Sequence, residues 1–198
     1  KYANMPKDTI QRAIDKGAGN SGGEDFRPVV FEGYGPGSTA MIIEGLTDNN
    51  TRTVNEIRSI FNKLGGNLGT TGSVAFMFQT KGRIILDASK YAEDRVMEAA
   101  LEAGADDVQP PENPGADEPG VWTVLTEPTE FQQVKEALEK AGIEILEAEI
   151  ARIPDTTVTV KGEDARKLLN LIDALEDNDD VQKVFSNADI PAEEMAGM

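Results

Sequence analysis

The order in which strand-like and helical periodicity alternate constrains the fold of this chain more than any other feature. Arg83–Asp87 reads as a strand, Lys90–Ala103 as a helix, Asp107–Gln109 and Val121–Thr126 as strands, Pro128–Ala141 as a helix and Ile143–Arg152 as a strand. This is the β-α-β-β-α-β order of a ferredoxin-like unit. Ahead of it, the Thr39–Leu46 strand, Arg52–Leu64 helix and Val74–Phe78 strand make a β-α-β half. Behind it, Thr157–Lys161, Glu163–Leu175 and Val181–Phe185 make another. Joined, the halves form a second β-α-β-β-α-β unit interrupted by the first. Two separate sequential domains would leave a β-α-β fragment without a sheet, so insertion is the favoured reading. The expected class is α+β, with the remnant of a helical domain followed by two ferredoxin-like domains, one inserted in the other. Residues 1–27 are the end of that helical domain and a linker. Residues 28–82 with 154–198 form a discontinuous host, and 83–153 form the insert.

Local signals support these segments. Pro6 suits a first helical turn, Ile10 and Ile14 share a face, and Gly17 ends a helix over 6–16. Residues 17–27 contain four glycines and read as a loop. Val29–Tyr34 is a further strand, turning at Gly35-Pro36-Gly37 into Thr39–Leu46. In the first host helix, Val54, Ile57, Phe61 and Leu64 form one apolar stripe, and Gly65-Gly66 stops it. Thr53 with Glu56 has the spacing of a capping box. Pro110–Gly120 holds four prolines and two glycines, so it is a hairpin loop.

Charge divides the chain. Residues 1–83 carry ten Lys/Arg against eight Asp/Glu, whereas the other 115 carry nine against twenty-eight, within a net charge of −17. Phosphate backbones are bound mainly through Lys and Arg, so only the first part tolerates nucleic acid. The acidic part suits solubility or a protein partner, so a protein–protein adaptor is the alternative to a nucleic-acid binder. With no cysteine, the chain has no disulfide or thiolate chemistry, which fits a reducing compartment. With no histidine, it lacks the commonest proton-transfer group and metal ligand. No catalytic constellation, cofactor or metal is expected. No apolar run approaches the roughly 20 residues of a membrane helix. The chain starts at Lys1 without a methionine and reads as an interior fragment.

Several motifs have bland explanations. Gly33-Tyr34-Gly35-Pro36-Gly37 lacks nucleotide-loop spacing and leads into a strand, so it is better read as a hairpin turn. Asp177-Asn178-Asp179-Asp180 lacks the glycine and closing glutamate of a calcium loop. Gly65–Val74 is a glycine-rich connector that precedes a strand, the wrong order for a phosphate cradle. In Asp48-Asn49-Asn50-Thr51-Arg52-Thr53, helix capping accounts for most of the polarity. It does not account for Arg52, because the first helical turn disfavours a cation. With Arg58 and Lys63, Arg52 could form a small basic face suited to phosphate or to an acidic partner.

The motifs Asn4-Met5-Pro6-Lys7-Asp8-Thr9-Ile10, Phe31-Glu32-Gly33-Tyr34-Gly35-Pro36-Gly37, Leu46-Thr47-Asp48-Asn49 and Gly65-Gly66-Asn67-Leu68-Gly69, running into Gly72–Phe78, together resemble the YebC/PmpR family of probable transcriptional regulatory proteins. The resemblance is strong over 4–82 and follows the order of elements to about residue 190. It implies a helical domain and two α+β domains, the third inserted in the second, with a basic helical segment ahead of the Asn-Met-Pro-Lys motif. It also implies a cytoplasmic, non-enzymatic regulator of gene expression whose partner is DNA, or ribosomal RNA and the ribosome as for translational relatives. On this reading Lys7, Arg12, Lys16, Arg52, Arg58 and Lys63 contribute to binding nucleic acid.

Overall fold

The structure is a computed structural model that describes residues 25–111, 120–191 and 193–194. The expected helix over 6–16, most of the loop over 17–27 and most of the hairpin loop over 110–120 lie outside the described residues. The chain divides into two compact units, one from Lys1–Phe78 with Pro154–Met198 and one from Gln79–Ile153. The architecture is α+β, with the second unit inserted in the first.

The inserted unit follows the expected order. Strand β4 (Phe78–Asp87) leads to helix α2 (Glu93–Ala103), β5 (Asp107–Gln109), β6 (Val121–Thr126), α3 (Phe131–Lys140) and β7 (Ile145–Pro154). The sheet order β5-β6-β4-β7 is the ferredoxin-like arrangement, with the first and third strands central. Helix α2 buries Val96, Ala99, Ala100 and Ala103, and α3 buries Val134 and Leu138, against Ile84, Leu86, Trp122 and Val124 of the sheet. Gly104 closes α2 in the left-handed conformation at φ 91°, where a side chain would be strained.

The host sheet has the order β3-β1-β2-β9, from β1 (Arg27–Gly35), β2 (Thr39–Thr47), β3 (Asn67–Leu68) and β9 (Val181–Ser186). Helices α1 (Asn50–Lys63) and α4 (Gly162–Glu176) cover one face. Ile57 and Phe61 of α1 and Leu168, Leu171 and Leu175 of α4 pack there with Met41 and Ile43. The spatial order again matches a ferredoxin-like sheet, but two slots are filled differently from expectation, that of the second strand by β3 in place of Val74–Phe78. The position of the third strand belongs to β1, which precedes the first strand in the chain, and not to Thr157–Lys161. The cause is local. The turn at Pro36–Ser38 lets β1 and β2 pair antiparallel without interruption from Arg27↔Thr47 to Gly35↔Thr39. Such a hairpin closes with little loop entropy. The later segment, β8 (Val158–Thr159), pairs instead with β10 (Ala188–Asp189) in a separate two-stranded parallel ladder.

A second expectation also gives way. Val74–Phe78 is not a strand: Ala75–Met77 forms a 3-10 turn, and β4 begins at Phe78. The Glu32 carboxylate explains why. Glu32 lies on β1 with Gly33 beside it, and Gly33 backs onto Phe61 of α1, so the alternation of a strand points Glu32 to the face opposite the helices. There it is 4% exposed and accepts hydrogen bonds from the backbone N–H groups of Gly72 (2.6 Å), Val74 (3.0 Å) and Ala75 (2.6 Å). Its own carbonyl accepts from Gly69 N–H at 2.8 Å. Amides spent on a carboxylate are not available to a ladder, so the loop turns instead of pairing. Val74 is driven fully into the interior, while Ile42 and Phe185, directly opposite each other on β2 and β9, are also buried.

Replacing Glu32 with Ala strands up to three buried or half-buried amides. We expect a loss of about 2–4 kcal/mol in urea unfolding, with faster amide exchange at Gly72, Val74 and Ala75. Exchange unchanged at all three sites would show that the carboxylate does not hold the loop.

Candidate nucleic-acid interface

The N-terminus of α1 is built by Asn49, whose Oδ1 accepts from Arg52 N–H at 3.1 Å. The cap is therefore Asn49, four residues earlier than the Thr53/Glu56 capping box expected from spacing. Thr53 is wholly buried in the first turn, and Glu56 instead accepts from Asn178 Nδ2 at 2.9 Å. Thr53 is placed there by a polar knot. Its Oγ1 lies 2.7 Å from Asp180 Oδ2, to which it donates, and 2.8 Å from Thr47 Oγ1. The Thr47 hydroxyl also accepts from Asn49 N–H at 3.0 Å. A hydroxyl offers one donor and two acceptor lone pairs, so this small chain of contacts can be satisfied throughout.

Arg52 completes the knot. Its Nη2 donates to Asp48 Oδ1 at 3.1 Å and to Asp180 Oδ1 and Oδ2 at 3.2 and 3.1 Å. Hydrogen bonding to Asp180 comes first among the effects that hold the guanidinium above its ordinary pKa, and Asp48 adds to it. This answers why a cation sits in the first turn of a helix. Two carboxylates, one of them 6% exposed, compensate it. Asp180 is fixed in turn by its backbone. Its N–H bonds Asn178 Oδ1 at 2.9 Å, and its carbonyl accepts from Leu46 N–H at 2.8 Å. The approach is close enough that a Cβ on Gly45 would stand 2.5 Å from that carbonyl oxygen, so only glycine fits at this irregularity between β2 and β9.

The surrounding cleft is lined by Arg52, Glu56, Asp177, Asn178, Asp179 and Asp180. One cation among four carboxylates makes this surface repel a polyanion. Arg52 is thus a strut between α1 and the segment leading into β9, with its charge already matched.

Arg58 and Lys63 differ. Both are exposed on α1, and among the described residues neither has an ion-pair partner. They open a stretch, residues 57–86, in which thirty consecutive positions hold no Asp or Glu although the chain has 36 acids in 198 residues. The other cations of that stretch belong to the inserted unit and are engaged. Lys81 contacts Glu127 at 2.6 Å and Asp106 at 3.0 Å, which raise its pKa in that order, and Arg83 is bonded to Glu149. Sequence reasoning grouped Arg52, Arg58 and Lys63 as one basic face; the geometry separates the first from the other two. Lys7, Arg12 and Lys16 lie outside the described residues. Among the described residues, no three acidic side chains are placed to hold a metal ion, and no helix is long and apolar enough to cross a membrane.

Residues 26–188 match the family model described as the TACO1/YebC second and third domain. The chain belongs to the TACO1/YebC family. A probable transcriptional regulatory protein of Sulfurihydrogenibium sp. (strain YO3AOP1) is 50% identical over 192 residues, 96% of this chain and 74% of the relative. One from Persephonella marina is 53% identical over 188 residues, 94% of this chain and 73% of the relative. Among solved structures, a conserved hypothetical protein, Aq1575, from Aquifex aeolicus superposes with a TM-score of 0.79 at 45% identity, covering 95% of this chain and 75% of that one. Within this family chain, the motif Leu46-Thr47-Asp48-Asn49 with Arg52-Thr53 is accounted for by the knot around Asp180.

Arg52→Ala is expected to destabilise the chain by about 1–2 kcal/mol, because it leaves the Asp180 carboxylate underpaired. Combining it with Asp180→Asn should recover part of that loss. Additive losses in thermal or urea unfolding would show that the two side chains do not act together.

Proposed function

We propose that this chain is the α+β part of a cytoplasmic, non-enzymatic regulator of gene expression that binds nucleic acid. The names of its relatives, probable transcriptional regulatory proteins, support the regulatory half of this reading, and DNA is the target we propose first. The observation that carries the binding half is the pair Arg58 and Lys63, exposed and without carboxylate partners among the described residues, in an acid-free stretch of an otherwise strongly acidic chain. A solvent-exposed cation with no partner is what a phosphate oxygen needs: it can exchange a condensed counterion for a fixed charge at little desolvation cost. Lys7, Arg12 and Lys16 are proposed to extend the same polyanion contact. Arg52 contributes to folding and only indirectly to binding. The cleft around Asp177–Asp180 excludes phosphate from the N-terminal end of α1, and so directs a polyanion toward its C-terminal end.

An RNA target, as in ribosome-associated regulation, is the second reading. It is favoured by two exposed aromatic side chains in the host unit, Tyr34 and Phe76.

Charge reversal tests the proposal. Arg58→Glu with Lys63→Glu should weaken binding to duplex DNA or to structured RNA on the order of tenfold or more, and lower the salt slope of log K by about 0.9 per lost phosphate contact on DNA. The thermal midpoint should hold, since both side chains are exposed. Affinity and salt slope equal to the parent chain on both kinds of probe would refute the assignment.

A further inference from the structure

The host unit exposes three large apolar side chains among its described residues: Val30 (44%), Tyr34 (39%) and Phe76 (72%). They are linked. Val30, Glu32 and Tyr34 alternate along β1, so they share the face away from α1 and α4. Glu32, between the other two, is the residue whose carboxylate fixes Gly72, Val74 and Ala75, and Phe76 is next in the chain. The turn that carries Phe76 is thus fixed by a buried side chain on the strand face that carries Tyr34. The sequence offered easy alternatives. In Val74-Ala75-Phe76-Met77-Phe78 the outer residues Val74 and Phe78 are buried and the central phenylalanine is left in solvent. The turn is also anchored beyond Phe76, where the Met77 carbonyl accepts from Asp155 N–H at 2.9 Å. The backbone on either side of Phe76 is thus fixed, and its ring is 72% exposed.

We propose that Phe76, together with Tyr34, is a stacking surface for an unpaired nucleobase, with Glu32 as its positioning residue. The proposal rests on the nucleic-acid reading above and specifies what the host sheet contributes to it. Flat aromatic rings exposed on and beside a sheet are the usual means of holding bases that are not paired, because every base offers a π-face. Within the turn itself, residues 57–86 supply no carboxylate, and the exposed Asp155 is the acid that meets it, through its backbone N–H at Met77. Thr70 and Thr71, exposed at the start of the loop, add hydroxyl groups able to donate to phosphate or sugar oxygens. The engaged carboxylate of Glu32 is itself buried, so it orders the loop without presenting its charge to a polyanion.

The test uses the chain with fluorescein-labelled short oligouridylate, short oligodeoxythymidylate and a mixed-sequence DNA duplex, read by anisotropy. Phe76→Ala should weaken single-strand binding about 5- to 100-fold and leave the thermal midpoint in place, because the ring is mostly in solvent. Phe76→Trp should restore binding and Phe76→Leu should not. Glu32→Gln should weaken binding in the parent chain but add little to Phe76→Ala. A loss on the RNA probe alone identifies RNA as the source of the base, and a loss on oligodeoxythymidylate alone identifies single-stranded DNA; either supports the stacking surface. Full single-strand binding by Phe76→Leu would overturn stacking, because an aliphatic side chain offers no π-face to a base. Unchanged single-strand affinity of Phe76→Ala, when Arg58→Glu with Lys63→Glu still weakens binding, would overturn stacking and leave the broader reading intact. No binding of any probe by the parent chain would overturn both.

Discussion

A carboxylate removed from water must find donors, and in the host unit Glu32 finds three backbone amides of the loop that follows β3. Much of the local structure follows from this requirement. The amides of Gly72, Val74 and Ala75 cannot enter a sheet while they serve Glu32, so the chain turns at Ala75–Met77 and β4 starts at Phe78. Val74 is carried into the interior beside a sheet face on which Ile42 and Phe185 are also buried. Phe76 is carried outward. The inserted unit therefore begins where the influence of one buried acid ends.

Asp180 has a comparable role at the other end of the sheet. Its carboxylate receives Thr53 and Arg52, and its backbone carbonyl receives Leu46 N–H, so the end of β2, the first turn of α1 and the entry to β9 meet on one residue. The five cations of residues 52–83 fall into two groups. Arg52, Lys81 and Arg83 are matched by carboxylates and serve the fold. Arg58 and Lys63 have no such match among the described residues and suit an external anion. In a chain of net charge −17 this distinction matters more than the count of basic residues, because a paired cation adds little to the field a phosphate meets.

The two candidate contacts are of different kinds. Arg58 and Lys63 lie on the helical layer and would hold backbone phosphates. Tyr34 and Phe76 belong to the opposite side of the sheet and would hold bases. Phosphate contacts give affinity that is indifferent to sequence, whereas base contacts distinguish paired from unpaired strands. Both kinds are common in proteins that act on folded or partly opened nucleic acid, and family membership alone distinguishes neither.

Local patterns settled a good deal. The alternation of strand and helix periods showed an α+β chain with one ferredoxin-like unit inside another, and Ile57, Phe61 and Leu64 of the predicted stripe marked the core-facing side of α1. These follow from contacts between neighbours two to four positions apart, which any window of sequence displays. The asymmetric charge was equally visible. Tertiary structure alone decided the rest. It placed β1 in the slot expected for Thr157–Lys161, where a tight hairpin closes with less loop entropy than a pairing with a distant strand. It made Asn49 the cap and buried Thr53, because Asp180, 127 positions away, takes the threonine hydroxyl. It withdrew Arg52 from the basic face and tied the turn that carries Phe76 to Glu32. Apart from the hairpin, these outcomes depend on a buried carboxylate finding partners far along the chain, and no local pattern records where such partners will be.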